Sequence, residues 1–297
     1  MAIFSNEEYL SRITKTKQRM LDAGIEVLIV ADPANMNYLT GYDGWSFYVP
    51  QVVIVALDDN EPVWIGRGMD ANGAKHTTFL SPDHIIGYPD DYVQNLAKHP
   101  MNFVADCLLQ KGWDAKTIGT ELDAYYFTAR CQQELTKSLS KSKFTDGNLL
   151  VSWVRLVKSE QEIAYMKQAG KIMEKVMQTA IDVVAPGVRE CDAVASIYQA
   201  QIAGTAEFGG DYTAIVPMMP SGEKTSTPHL TWTDDPYGNE LAVNLELAAC
   251  RHRSHCPMAR TVYLGQKPPE KLVSTAEVVV EGLNTTLDGI KPGITCE

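Results

Sequence analysis

Helical spacing marks the start of the chain: Tyr9, Ile13 and Met20 fall on one side of a segment that Ser5 and Glu8 open as a capping box. The period then changes. Residues 24–30, GIEVLIV, make an unbroken apolar run of strand length. Further strands are predicted at QVVIVAL (51–57), EPVWIGR (61–67), near HIIGYPD (84–90) and at KTIGTEL (116–122), with a helix around NFVADCLLQKG (102–112). Helices interleaved with apolar strands give a mixed α/β domain over residues 1–155.

The next boundary is legible in the pattern alone. Ser159 as N-cap and Glu162 at the capping-box position precede apolar residues at 163, 166, 169, 173, 176, 180 and 183, which predicts a long amphipathic helix ending at Ala185-Pro186-Gly187. A second helix, from Arg189 to Ala203, carries Val194, Ile197, Tyr198 and Ile202 and stops at Gly204. Strands are predicted around YTAIVPMM (212–219), LAVNLELA (241–248) and MARTVYLG (258–265). A third helix, from Pro269 to Ile290, places Val273, Ala276, Val280, Leu283 and Leu287 at helical spacing. The tail Lys291-Pro292-Gly293-Ile294-Thr295-Cys296 echoes Ala185-Pro186-Gly187-Val188-Arg189-Glu190-Cys191. Residues 156–297 therefore read as two α-α-β-β units in tandem, the second of them cut short.

Composition narrows the functional classes. A net charge of −11 over 297 residues, without clustered Lys and Arg, argues against a nucleic-acid partner and fits a soluble protein of a salty cytoplasm. Six scattered cysteines without CxxC spacing fit a reducing compartment rather than a disulfide framework. No apolar stretch reaches the roughly 18 residues of a membrane span, and no secretory h-region opens the chain, so a cytoplasmic location is expected.

The stretch NLELAACRHRSHCPMARTVYLG, residues 244–265, carries the chemistry. It reads as a hairpin whose single carboxylate, Glu246, is accompanied by Arg251, Arg253 and Arg260, His252 and His255, Cys250 and Cys256. A metal centre of hard oxygen ligands needs a further donor on the facing strand, and Pro257 stands there. The cysteines and histidines have the composition of a zinc site, but consecutive His255 and Cys256 point to opposite faces of a strand, so no metal is expected.

The junction Arg155-Leu156-Val157-Lys158-Ser159-Glu160-Gln161-Glu162-Ile163, the Pro228-His229 pair and the Glu246 to Thr261 hairpin together resemble the pita-bread superfamily of methionine aminopeptidase, proline dipeptidase and creatinase, with an N-terminal domain of the creatinase and prolidase kind. The resemblance implies an α/β (α+β) fold: a creatinase-type domain over 1–155, then a pita-bread domain over 156–297 whose second half is missing. Its metal-dependent members place two bridging Asp residues where this chain has Glu246 and Pro257. Gly41-Tyr42-Asp43-Gly44-Trp45-Ser46-Phe47-Tyr48, Gly87-Tyr88-Pro89-Asp90-Asp91-Tyr92-Val93-Gln94, Phe208-Gly209-Gly210-Asp211-Tyr212 and His255-Cys256-Pro257 look like the ectoine hydrolase branch, whose members extend beyond the end of this chain. That branch implies a homodimeric enzyme without metal or other cofactor, acting on a small cyclic amidinium carboxylate.

An amidinium is already cationic and needs no Lewis acid, so a lone buried carboxylate suffices to pair with it and then attack its carbon or deprotonate a water. Glu246 takes that role, as nucleophile or general base, unless it is spent in an ion pair with Arg251, Arg253 or Arg260. His229 matches the proton-shuttling histidine of creatinase-like members, a role suited to histidine's ordinary titration, or is a loop residue bonded to backbone. Tyr42, Trp45 and Phe47 are substrate-facing aromatics or core. Asp211 pairs with the cation or caps a turn, with Tyr212 beside it, and His255 lines the pocket. The alternatives are a creatinase-like amidinohydrolase, a metal-dependent Xaa-Pro dipeptidase and a catalytically inactive binding domain.

Overall fold

The computed structural model describes residues 3–295, which pack as two units divided between Gln161 and Glu162. The echo of the Pro-Gly segment at Cys296 lies outside the described residues.

The first unit is built on six strands: β1 (Val27–Val30), β2 (Val52–Ala56), β3 (Val63–Arg67), β4 (Ile85–Tyr88), β5 (Thr117–Thr120) and β6 (Lys143–Asp146). They run in the order β4-β3-β2-β1-β5-β6. Only β1 with β2 and β2 with β3 are antiparallel. The whole of β1 is buried because both faces are covered, which is why its sequence shows no alternation. Val27 and Ile29 join one core with α4 (Pro100–Gln110) and α5 (Ala129–Ser138). Leu28 and Val30 join another with α1 (Asn6–Asp22), α2 (Pro33–Thr40) and α6 (Leu150–Arg155). The short α3 (Ala71–Thr77) precedes β4. Ser5 caps α1 as read, its hydroxyl accepting from Glu8 N at 3.2 Å.

In the second unit α7 (Glu160–Val183) and α8 (Glu190–Ala203) cover one face of a hairpin formed by β7 (Leu241–Arg251) and β8 (Ser254–Leu264). The register aligns Leu247 with Met258 and Arg251 with Ser254. Ile172, Met173, Val176 and Met177 of α7 and Val194 and Ile197 of α8 meet Val243, Leu245, Leu247 and Ala249 in one core. Two positions depart from the helical stripe: Ile163 and Met166 are exposed by 42% and 37%, so the buried stripe of α7 begins at Ala169.

The strand predicted at 212–219 does not form as a ladder. Met218 and Ser221 instead make isolated bridges to Glu246 and Val243, interrupted at Pro220, which accepts from Asn244 N but has no N–H to return. The third predicted helix is present as α9 (Glu270–Gly289), but none of its residues is buried. Its apolar side and Val262 and Tyr263 of β8 line an open groove. Gly187 and Gly293, each after a proline, both take left-handed φ values of 83° and 93°, so the echoed sequence is also an echoed turn. No helix among the described residues is long and apolar enough to cross a membrane.

Candidate active site

β7 is the middle of three backbone layers, and that fixes Glu246. On the edge away from β8, Glu246 N donates to Met218 O at 2.9 Å and Met218 N to Glu246 O at 3.1 Å. Asn244 N donates to Pro220 O, Asp211 N to Cys250 O, and the buried Gln201 Nε2 to Ala248 O at 2.7 Å. Residues 244, 246, 248 and 250 thus turn their peptide groups away from β8 and form its non-hydrogen-bonded pairs. Pro257 faces Ala248 in such a pair, so its missing N–H costs the ladder nothing.

The same alternation sorts the side chains. Val243, Leu245, Leu247 and Ala249 go to the helices, and Glu246 goes to the opposite face with Ala259 across from it and Pro257 diagonal to it. Glu246 is the only carboxylate on the hairpin. Among the described residues it makes no ion pair and no side-chain hydrogen bond. Arg251 goes to Gln168 Oε1 and Gly209 O, Arg253 to Tyr212 O, and Arg260 to Ala259 O. The expected burial is not found: Glu246 is exposed, because the helices cover only the other face of β7.

The hairpin turn is His252-Arg253, with φ of 50° and 60°, a two-residue loop of the I′ kind that ordinarily takes Asn-Gly. Its strain is held from outside. Asp211 Oδ2 accepts from His252 N at 2.5 Å, Tyr165 meets the His252 ring edge-on at 4.6 Å, and Arg253 lies 3.8 Å over Tyr212. Asp211 thus caps the turn through one carboxylate oxygen. Tyr212 is exposed, with its ring under Arg253.

His255 is committed as well. Its Nδ1 donates to Arg253 O at 3.1 Å and its Nε2 accepts from Ala214 N at 3.0 Å, which sets a neutral tautomer with both nitrogens used. Cys250 Sγ lies 3.8 Å from Nδ1, yet no set of three His, Cys, Asp or Glu among the described residues can hold a metal ion. Burial lowers the His255 pKa from its ordinary 6.5, against a smaller opposing effect of the Arg253 carbonyl. The sign of the pH effect follows. Above 6.5 the contribution to stability is complete; below it the unfolded chain takes up the proton first, and stability falls as pH drops toward the lowered folded pKa. Thermal melts on acidification are expected to show a smaller decline for His255→Gln than for the parent chain.

His229 follows Pro228 in the exposed part of the long segment between Ser221 and β7, with φ of 67°. In the first unit Trp45 is 65% exposed and packs 5.0 Å from Phe47, which is half-buried and reaches Tyr126 at 5.1 Å. Tyr42 does not belong to that surface. It is 4% exposed, lies 5.0 Å from Trp64, and its hydroxyl meets Ser46 Oγ at 2.5 Å; burial pushes its pKa up to about 12. Sequence reasoning missed Gln201 and the buried Glu190. Gln201 stands four residues after Ile197, a spacing that marks the core side of α8.

A creatinase-type sheet domain followed by helices on a hairpin with one reactive face defines a pita-bread hydrolase. Residues 12–157 match the creatinase/prolidase N-terminal domain and residues 164–297 match metallopeptidase family M24, and the chain belongs to that family, whose hydrolases act on carbon–nitrogen bonds. It is 48% identical over 294 residues to an uncharacterized hydrolase/peptidase of Sinorhizobium fredii, covering 99% of this chain and 75% of that one. It is 46% identical over 296 residues to the ectoine hydrolase of Halomonas elongata, covering 98% and 74%. The prolidase of Thermococcus sibiricus superposes with a TM-score of 0.79 at 20% identity, over 98% of this chain and 74% of that one. The family name implies a metal, but a hairpin face with one carboxylate and a proline diagonal to it does not supply the donors of a dinuclear centre.

Proposed function

We propose that the chain's site hydrolyses the cyclic amidine of ectoine to an N-acetylated 2,4-diaminobutyrate, with Glu246 in the place of a metal. The carrying observation is one carboxylate, Glu246, without a side-chain partner among the described residues and with Pro257 diagonal to it on the same face. The name of the Halomonas elongata relative supports the substrate.

The ring carbon between the two nitrogens bears the positive charge. Glu246 removes a proton from a water that attacks it, or attacks it directly and is afterwards released when a water displaces the Glu246 oxygen from that carbon; in either case one carbon–nitrogen bond breaks, and the departing nitrogen takes a proton from His229. Overall one water is consumed and the acetyl group stays on one nitrogen. In open water a carboxylate and a cation at 4 Å attract by only about 1 kcal/mol, so Glu246 must be covered when substrate is bound for the pairing to matter. Trp45 and Phe47 suit a flat delocalised cation, and the homodimer and cytoplasmic setting belong to the same reading.

The test is an assay of the parent chain on ectoine, creatine and an Xaa-Pro dipeptide, followed by NMR before and after exhaustive chelation. Ectoine opening that survives chelation within about twofold is expected, because the described residues bring together no donor set for the ion. Turnover of the dipeptide that chelation abolishes would replace this reading with the prolidase one, and turnover of creatine alone with the amidinohydrolase one.

A further inference from the structure

Glu190 is the only buried charged side chain among the described residues of the second unit. It opens α8, where an acidic residue ordinarily faces water and complements the helix N-terminus. Here it is 4% exposed and turns inward. One carboxylate oxygen accepts from Ser221 Oγ at 3.1 Å; the other accepts from Thr233 N at 2.8 Å and Thr233 Oγ1 at 3.1 Å. Lys224 Nζ lies 3.5 Å from the first.

These contacts share a geometry. Ser221 and Thr233 bracket the segment that carries His229, so a single carboxylate ties both ends of that segment together, as at the neck of an Ω-loop. The neck is anchored in two directions: Ser221 bridges Val243 on β7, three positions before Glu246, and Glu190 N and Cys191 N donate to Asp235 O and Thr233 O at 3.0 Å each. Thr233 N on one oxygen and Lys224 Nζ on the other can only donate, so both oxygens face groups that an acceptor-only carboxylate suits. A glutamine of equal size turns its NH2 toward one of these two and loses the charge that shortens such bonds.

We propose that Glu190 is a positioning residue, which holds the segment of residues 222–232 so that His229 stands at a fixed place relative to the β7 backbone. The proposal rests on the reading of His229 as the proton shuttle. It is tested with Glu190→Gln, with Glu190→Asp, which keeps the charge, and with the milder Ser221→Ala. For Glu190→Gln, kcat on ectoine is expected to fall about ten- to a hundredfold while KM stays within about twofold, as for a displaced catalytic group rather than a lost binding contact. Amide exchange should quicken across 222–232, Ser221→Ala should lie between parent and Glu190→Gln, and Glu190→Asp should recover part of kcat. A lowered melting temperature with kcat unchanged would overturn the proposal, as would a rise in KM equal to the loss in kcat. If the parent chain leaves ectoine intact, the assignment of the reaction fails by itself. The exchange measurement still decides the staple, and unchanged exchange in Glu190→Gln overturns it.

Discussion

Glu246→Gln is expected to reduce ectoine opening by about 10³–10⁴-fold and to leave the fold and its melting temperature essentially unchanged. The two halves of that expectation come from different features of one side chain. Glu246 is exposed and makes no ion pair or side-chain hydrogen bond among the described residues, so an isosteric neutral replacement leaves none of them unsatisfied. Surface changes of this kind stay within about 0.5 kcal/mol. Its backbone, bonded to Met218 on one edge and set opposite Ala259 on the other, does not depend on the side chain. What the substitution removes is the negative charge: an amide neither pairs with an amidinium, nor attacks it, nor takes a proton from water. Binding and rate should therefore fall together, with KM rising and kcat collapsing. Product appearance by NMR against a melting curve on the same sample separates this outcome from unfolding. Activity within tenfold of the parent chain would leave Glu246 as an ordinary solvated side chain.

Elements of both units were legible because each carries a local signal. Ser5 and Glu8 marked α1, the unbroken apolar run at 24–30 marked a strand covered on both faces, and the stripe from Ala169 to Ala180 marked the buried turns of α7. The short α2 was missed although Asp32 caps it, Pro33 follows and Gly41 ends it in the left-handed region, since eight residues show too little periodicity. Edge strand β6, Lys143-Phe144-Thr145-Asp146, has almost no apolar content to find. At the site, hairpin and proline were readable from composition. Burial was not, because it depends on what lies across the sheet: Glu246 proved open, Tyr42 closed, and Asp211 and His255 were already engaged in holding the turn. Glu190 followed the rule for acids at helix starts and broke it only through long-range partners, Ser221 and Thr233.

His229→Ala is expected to lower kcat by about 10²–10³-fold, with KM little changed, and added imidazole should restore part of the rate. The structure makes this a clean substitution. His229 is exposed, so no core volume is lost, and although its φ of 67° is tolerated somewhat better by histidine than by alanine, the added strain is small and falls on an exposed segment. A changed rate is then a statement about the ring. If the ring delivers a proton to the departing nitrogen, a small diffusible imidazole replaces it, and the pH dependence of the rescued reaction follows the added base instead of the protein. If the ring only shapes the segment, imidazole does nothing, whereas His229→Gly, which relieves the left-handed strain, leaves the rate where His229→Ala left it and raises the melting temperature. Rescue by imidazole together with silence of the melting curve ties the proton transfer to His229. A parental kcat in His229→Ala would move that role elsewhere while leaving the charge argument for Glu246 standing, because the two residues enter the reaction at different bonds.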